Sequence, residues 1–151
     1  FMQKLNLPPY EFRVRSEGGK TMIFDPFRKK YLQLTPEENV RQHFAMYLTK
    51  EKGYPISLMM TEHALKLNEQ TRRSDIIIFN RKGEPAGIVE CKAPHIKISQ
   101  KVFDQVSRYN LIFRVKYLFV TNGLAHYCCK IDFEKAGIEF LTAIPHYNEL
   151  G

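Results

Sequence analysis

The stretch Arg73-Ser-Asp-Ile-Ile-Ile-Phe79, followed after a short polar turn by Ile88-Val-Glu-Cys-Lys92, decides the fold. Asp75 to Asn80 is β-branched and aromatic, Arg81-Lys-Gly-Glu84 is a turn, and Pro85 to Lys92 is apolar around its charges. Apolar runs this short, bounded by Gly and Pro, read as strands and not as helix. With Asn80 opposite Pro85 across the loop 81–84, cross-strand partners sum to 165, and Asp75 lies opposite Glu90. Directly opposite residues of an antiparallel pair have Cβ atoms about 5 Å apart on one face. Side chains alternate with period two, so Lys92 joins that face while Val89 and Cys91 point into a core. A slip of one residue would send Asp75 to the wrong face.

The chemistry follows from that geometry. Asp75 and Glu90 offer hard oxygen ligands of the kind Mg²⁺ (or Mn²⁺) takes, with waters and a substrate phosphate completing the shell. A cation there would acidify a bound water and stabilise charge on the phosphate. Lys92 would orient or deprotonate the attacking water, or stabilise developing negative charge. The backbone carbonyl of Cys91 is a further candidate ligand. The tripeptide alone carries little. With 12 Glu and 14 Lys in 151 residues, chance supplies roughly one Glu-x-Lys, and a solvated pair at a strand end is the plain alternative. Context carries more, because charges inside an apolar strand tend to be paired or functional.

Two helices frame the hairpin. Thr35-Pro-Glu-Glu38 is a helix start, with Thr as N-cap, Pro at the first helical position and Glu three residues after the cap. Val40, Phe44, Tyr47 and Leu48 form the apolar stripe of a helix over about 36–52. Glu38 is accounted for as the acid of the capping box; Glu37 leans toward the core face or simply favours the helix dipole. After the hairpin, Ser99 N-caps a second helix on which Val102, Phe103, Val106, Tyr109 and Phe113 recur at helical spacing. Gln105 and Tyr109, four apart, share a face, as a polar boundary residue beside a core Tyr also would.

Arg73-x-Asp75, Val89-Glu-Cys-Lys-Ala-Pro94 and Phe103-Asp-Gln-Val-Ser-Arg-Tyr109, in that order, resemble the PD-(D/E)xK nuclease superfamily. Within it the chain is most similar to the nuclease domain at the N-terminus of type I restriction enzyme R subunits. The resemblance runs from about Thr35 to Asp132 and includes the opening Tyr10-Glu-Phe-Arg-Val-Arg15. It implies a restriction-endonuclease-like α/β fold, a mixed central sheet flanked by helices, with metal-dependent DNA cleavage at Asp75, Glu90 and Lys92. It further implies that Gln105 and Tyr109 match a Gln-x-x-x-Tyr motif whose Gln approaches the site and the DNA. The superfamily often adds a carboxylate from the first helix, for which Glu37 is preferred over Glu38. Arg73, Lys97, Lys101, Arg108 and Tyr109 are the candidate DNA contacts.

Length and composition bound the rest. A chain of 151 residues with 44% hydrophobic and 13% aromatic residues suits one folded domain and not a disordered one. No apolar run approaches the roughly 20 residues of a membrane span. No signal peptide opens the chain, and Met2 reads as a natural start behind Phe1. The net charge of +7 favours a polyanionic partner, although many soluble proteins are as basic. Residues 1–34 hold seven Lys/Arg against three acids. Three cysteines, two of them adjacent, make no disulfide framework and indicate a reduced, cytoplasmic protein. Paired Cys-x-x-Cys spacing for zinc, H-E-x-x-H and G-x-S-x-G are all absent.

The expected layout is a single domain over 1–151. It has an N-terminal hairpin extension (1–34; strands Tyr10–Arg15 and Lys20–Phe24, ended by Asp25-Pro26), a nuclease core (35–132) and a C-terminal tail (133–151). Further strands are expected over Ile56–Leu67, carrying a solvated Glu62, over Lys116–Asn122 and His126–Ile131, and over Ile138–Leu141 at an edge. No G-x-x-x-x-G-K-[ST] loop is present, so an ATP-driven motor and target recognition would come from other restriction-modification subunits. The leading expectation is a metal-dependent DNA endonuclease; the alternative is a catalytically silent nucleic-acid-binding or scaffold domain. RNA as substrate stays open, and a homodimer would supply the two active sites that cutting both strands usually needs.

Overall fold

The computed structural model describes residues 2–67 and 70–150; the side chains of 62–67, 70–74 and 109–113 lie outside that description. The main layer is a six-stranded mixed sheet in the order β4-β5-β6-β7-β8-β9. Its strands are β4 (Met59–Leu67), β5 (Gln70–Phe79), β6 (Pro85–Cys91), β7 (Tyr117–Thr121), β8 (His126–Asp132) and β9 (Gly137–Phe140). All neighbours run antiparallel except β6 and β7, whose parallel pairing requires a crossover. The helix α2 (Gln100–Phe113) supplies it.

The deciding hairpin forms in the expected register over its body. Ile76 pairs with Val89, Ile77 with Ile88 and Ile78 with Gly87, each pair summing to 165. At the turn the ladder slips, and Phe79, not Asn80, meets the Pro85 end. The cause is local: the Asn80 side chain accepts from the backbone N–H groups of Lys82 and Glu84, and its own N–H donates to Glu84 O. Asn80 therefore closes the turn and leaves the strand.

Period-two alternation divides two cores. On one face Ile76, Ile78, Val89, Cys91, Phe119 and Cys128 pack with Val40, Phe44 and Leu48 of α1 (Pro36–Lys52). On the other, Leu118, Val120, Cys129 and Ile131 meet Phe103 and Val106 of α2. The adjacent Cys128 and Cys129 thus face opposite ways as free buried thiols, and Cys91 is a core residue. Burial lifts the Cys129 thiol to about 11, so it stays protonated near neutrality.

Both helix starts are capped by the residues the sequence marks. Thr35 Oγ1 accepts from Glu38 N at 3.0 Å, and Gly53 ends α1 in the left-handed region. Ser99 Oγ accepts from Val102 N. A short 3₁₀ turn, Ile56–Leu58, takes the first residues expected of a long strand, so β4 begins at Met59. Glu62 lies outside the described side chains.

The N-terminal element is larger than a hairpin. β1 (Val14–Glu17), β2 (Lys20–Asp25) and β3 (Lys30–Gln33) form a separate antiparallel sheet. Asp25 is the last residue of β2, and its carboxylate accepts from Phe27 N and Arg28 Nε, closing the turn into β3. The chain ends also join the main body. Leu5, Ile144, Tyr147 and Leu150 belong to the α1-side core, and Tyr147 Oη donates to Phe79 O at 2.7 Å.

Candidate active site

Asp75, midway along β5, meets the end of β6. Asp75 stands one residue before the Ile76–Val89 pair, and its carboxylate bridges two elements. Oδ2 accepts from the backbone N–H of Cys91 at 2.7 Å, and Oδ1 accepts from Arg41 Nη2 of α1 at 2.8 Å. Glu90, between Val89 and Cys91 of the core, takes the opposite face by alternation and is only 8% exposed. Lys92 follows β6 directly; its backbone N–H donates to Thr121 O at 2.8 Å, and its side chain is half-buried.

Arg41 is the residue that sequence reasoning missed. Its guanidinium is almost wholly buried and donates to Glu38 as well as Asp75. Glu38 also accepts from Gln42 Nε2 at 2.8 Å, and Arg28 Nη2 lies 3.7 Å away. Arg28 in turn meets Asp25, which is fully buried and accepts from Thr61 Oγ1 of β4. A chain of alternating charge, Asp25–Arg28–Glu38–Arg41–Asp75, therefore runs from the N-terminal sheet through α1 to the hairpin. Glu38 takes the inward place in this chain, in contrast to its expected capping-box role: the N-cap is Thr35, and the Glu38 carboxylate turns to Arg41 and Gln42. Glu37 is half-exposed on the same turn, with Arg41 Nη2 4.0 Å away.

Electrostatics fit the burial. Removal from water acts against charge on Arg41, but Asp75 and Glu38 outweigh it and hold the guanidinium firmly protonated. Burial raises the Glu38 carboxyl above the usual range, while Arg41 and Gln42 pull the other way. Burial also drives the Cys91 thiol well up, and the Asp75 charge adds to it.

Among the described residues no three His, Cys, Asp or Glu side chains stand together as a metal cluster. The donor chemistry present is two carboxylates, Asp75 and Glu90, with the Cys91 backbone between the strands. Such a set suits a hard cation that keeps several waters. The carboxylates Asp25, Glu38 and Asp75 meet the guanidiniums Arg28 and Arg41, and Glu90 is buried at the end of β6. These donors are of the kind Mg²⁺ or Mn²⁺ takes, with Asp75 Oδ1 already engaged by the Arg41 guanidinium.

The remaining expected residues spread over α2 and its approach. Gln105, Lys97, Lys101 and Arg108 are exposed, and none enters the charge chain. The side chains of Arg73 and Tyr109 lie outside the described residues. A visible signal for Arg41 existed: it sits between Glu37/Glu38 and Phe44/Ala45 on the inward stripe of α1, where a charge demands a partner.

The fold is that of a restriction-endonuclease-like α/β domain. The chain belongs to the family described as the type I restriction enzyme R protein N terminus, which matches residues 36–145. Among solved structures it is similar to a fragment described as the HsdR subunit of a type I restriction enzyme from Vibrio vulnificus YJ016. The two share 21% identity at a TM-score of 0.55, a likeness of fold, over 78% of this chain and 24% of that one. The chain thus spans about a quarter of that relative's length. No curated protein matches it. Among the described residues no helix is long and apolar enough to cross a membrane.

Proposed function

We propose that this chain is the nuclease domain of a restriction-type system, hydrolysing DNA phosphodiester bonds with Mg²⁺ or Mn²⁺. The reading rests above all on one observation: the Asp75 carboxylate is tied to the Cys91 backbone, which draws it against the Glu90-Cys-Lys92 end of β6. Asp75, Glu90 and the Cys91 carbonyl would hold the metal, which when bound acidifies water and stabilises charge on phosphate. Lys92 is the group to orient the attacking water. Arg41 holds Asp75 in place from α1. The exposed Lys97, Lys101 and Arg108, with Arg73, Gln105 and Tyr109, would follow the DNA. Glu37 would add a carboxylate from the rim. Motor and target-recognition subunits of a restriction-modification assembly are the expected partners, in a reducing cytoplasm that suits three free thiols.

The Arg41–Asp75 ion pair favours a second reading, a silent nucleic-acid-binding domain, because the guanidinium already satisfies the oxygen that a metal would need. Isothermal titration separates the two. The nuclease reading predicts Mg²⁺ or Mn²⁺ binding that is lost in Asp75→Asn. DNA binding with no metal binding at all would favour the silent domain.

A further inference from the structure

The N-terminal sheet lies outside the matched residues 36–145, and its outward face has a chemistry of its own. Alternation sends Ile23 and Asp25 inward, where they are buried. It leaves Arg13, Arg15, Phe24 and Tyr31 on the opposite face, the arginines exposed and the rings partly so. Register lines these four up. Phe24 pairs with Tyr31 across β2 and β3, Phe24 N donates to Arg13 O, and Arg15 lies across from Met22. The Arg13 guanidinium stands 4.1 Å over the Phe24 ring and that of Arg15 3.9 Å over Tyr31, with the two rings 5.3 Å apart. A groove of about 220 Å³, walled by Phe12, Arg13, Phe24 and Met46, opens beside Phe24. Lys20 stands exposed on the same face of β2, and Lys29 and Lys30 are exposed at the turn into β3, Lys30 across from Asp25; the nearby acids are Glu11 on the groove wall and Glu17, which pairs with Arg15.

We propose that this face binds single-stranded nucleic acid. Rings offer flat apolar surface to unpaired bases, and the guanidiniums stacked on them offer both a further stacking plane and charge to phosphates. A duplex keeps its bases stacked inside and would use only the cations. The sheet is anchored to the catalytic scaffold, since Asp25 at the end of β2 meets Arg28, and Arg28 reaches Glu38. A strand held on this face is thereby fixed relative to α1.

The test is fluorescence anisotropy in EDTA, so that it does not depend on cleavage or metal. Labelled oligo-dT, oligo-U and a duplex of equal length are titrated with wild type, with Phe24→Leu/Tyr31→Leu and with Arg13→Gln/Arg15→Gln. Leucine keeps apolar packing and removes the π-face. The double leucine variant is expected to lose at least about tenfold in affinity for single strands and to bind duplex unchanged. The double glutamine variant should lower the slope of log K against log salt by about 1.4 for oligo-dT. Equal losses for oligo-dT and oligo-U support a sugar-blind face, and a loss confined to one assigns the sugar. Single-strand binding unaltered by both variants, or duplex binding weakened as much by the leucines, would overturn the proposal. Should the leucine variant fail to fold, the salt slope decides alone.

Discussion

Arg41 Nη2 donates to Asp75 Oδ1 at 2.8 Å, joining the first helix to the hairpin across 34 residues of sequence. The same guanidinium bonds Glu38, so two carboxylates share one buried cation. Breaking such a pair from one side strands the other charge out of water, and the cost exceeds the value of the pair itself.

Arg41→Ala is accordingly expected to destabilise the fold by about 3–5 kcal/mol, read as a lowered urea midpoint with an unchanged m-value. Arg41→Lys keeps the charge but not the fork, and should fall between. A midpoint within error of wild type for Arg41→Ala would show that the charge chain contributes nothing to folding.

Gly123 has φ +85°, and a Cβ built there would meet Leu5 Cδ2 at 2.7 Å and Val40 Cγ2 at 3.1 Å. Gly18, at φ +58°, has open space around the same position. Both Gly→Ala changes carry the left-handed penalty of about 1–2 kcal/mol, and Gly123→Ala adds the displacement of Leu5 from the core. Thermal melts should therefore rank Gly123→Ala below Gly18→Ala. Equal melting would mean that the N-terminal segment yields at no cost.

His126 stacks on Phe44, takes a 2.7 Å hydrogen bond to Thr121 Oγ1 and bonds Asn6 O through Nε2 at 2.9 Å. Burial lowers its pKa below the ordinary value near 6.5. Between the folded and unfolded values the unfolded chain binds more protons, so stability rises with pH there and is lost as pH falls below about 6.5. The melting temperature of wild type should drop between pH 8 and pH 5 more steeply than that of His126→Gln. Parallel slopes would remove His126 as a cause.

The hairpin was legible because its information is local. Alternation and a polar turn set the 165 register over Ile76–Ile78 without help from distant residues. Capping residues marked both helix starts for the same reason. β3 was not legible: Lys30-Tyr-Leu-Gln33 is four residues long, and what holds it is pairing with β2 and the Phe24–Tyr31 contact. The exit of Asn80 from the ladder depended on side-chain hydrogen bonds inside the turn, which strand patterning does not weigh. The charge chain was hidden for a third reason. Glu38 satisfies the sequence pattern of a capping box, and only the arrival of Arg28 and Arg41 around it shows that burial claims its carboxylate. Asp25 reads as a strand terminator until Thr61, far along the sequence, is seen to donate to it.

The most direct test of the central claim is nicking of supercoiled plasmid with Mg²⁺, Mn²⁺ or EDTA, comparing wild type with Asp75→Asn and Lys92→Ala. Circular dichroism melts would check that each variant folds. The account predicts metal-dependent nicking by wild type, abolished in both folded variants, with DNA binding retained. Nicking that persists in folded Asp75→Asn, or DNA bound by wild type with no cleavage under either metal, would contradict it.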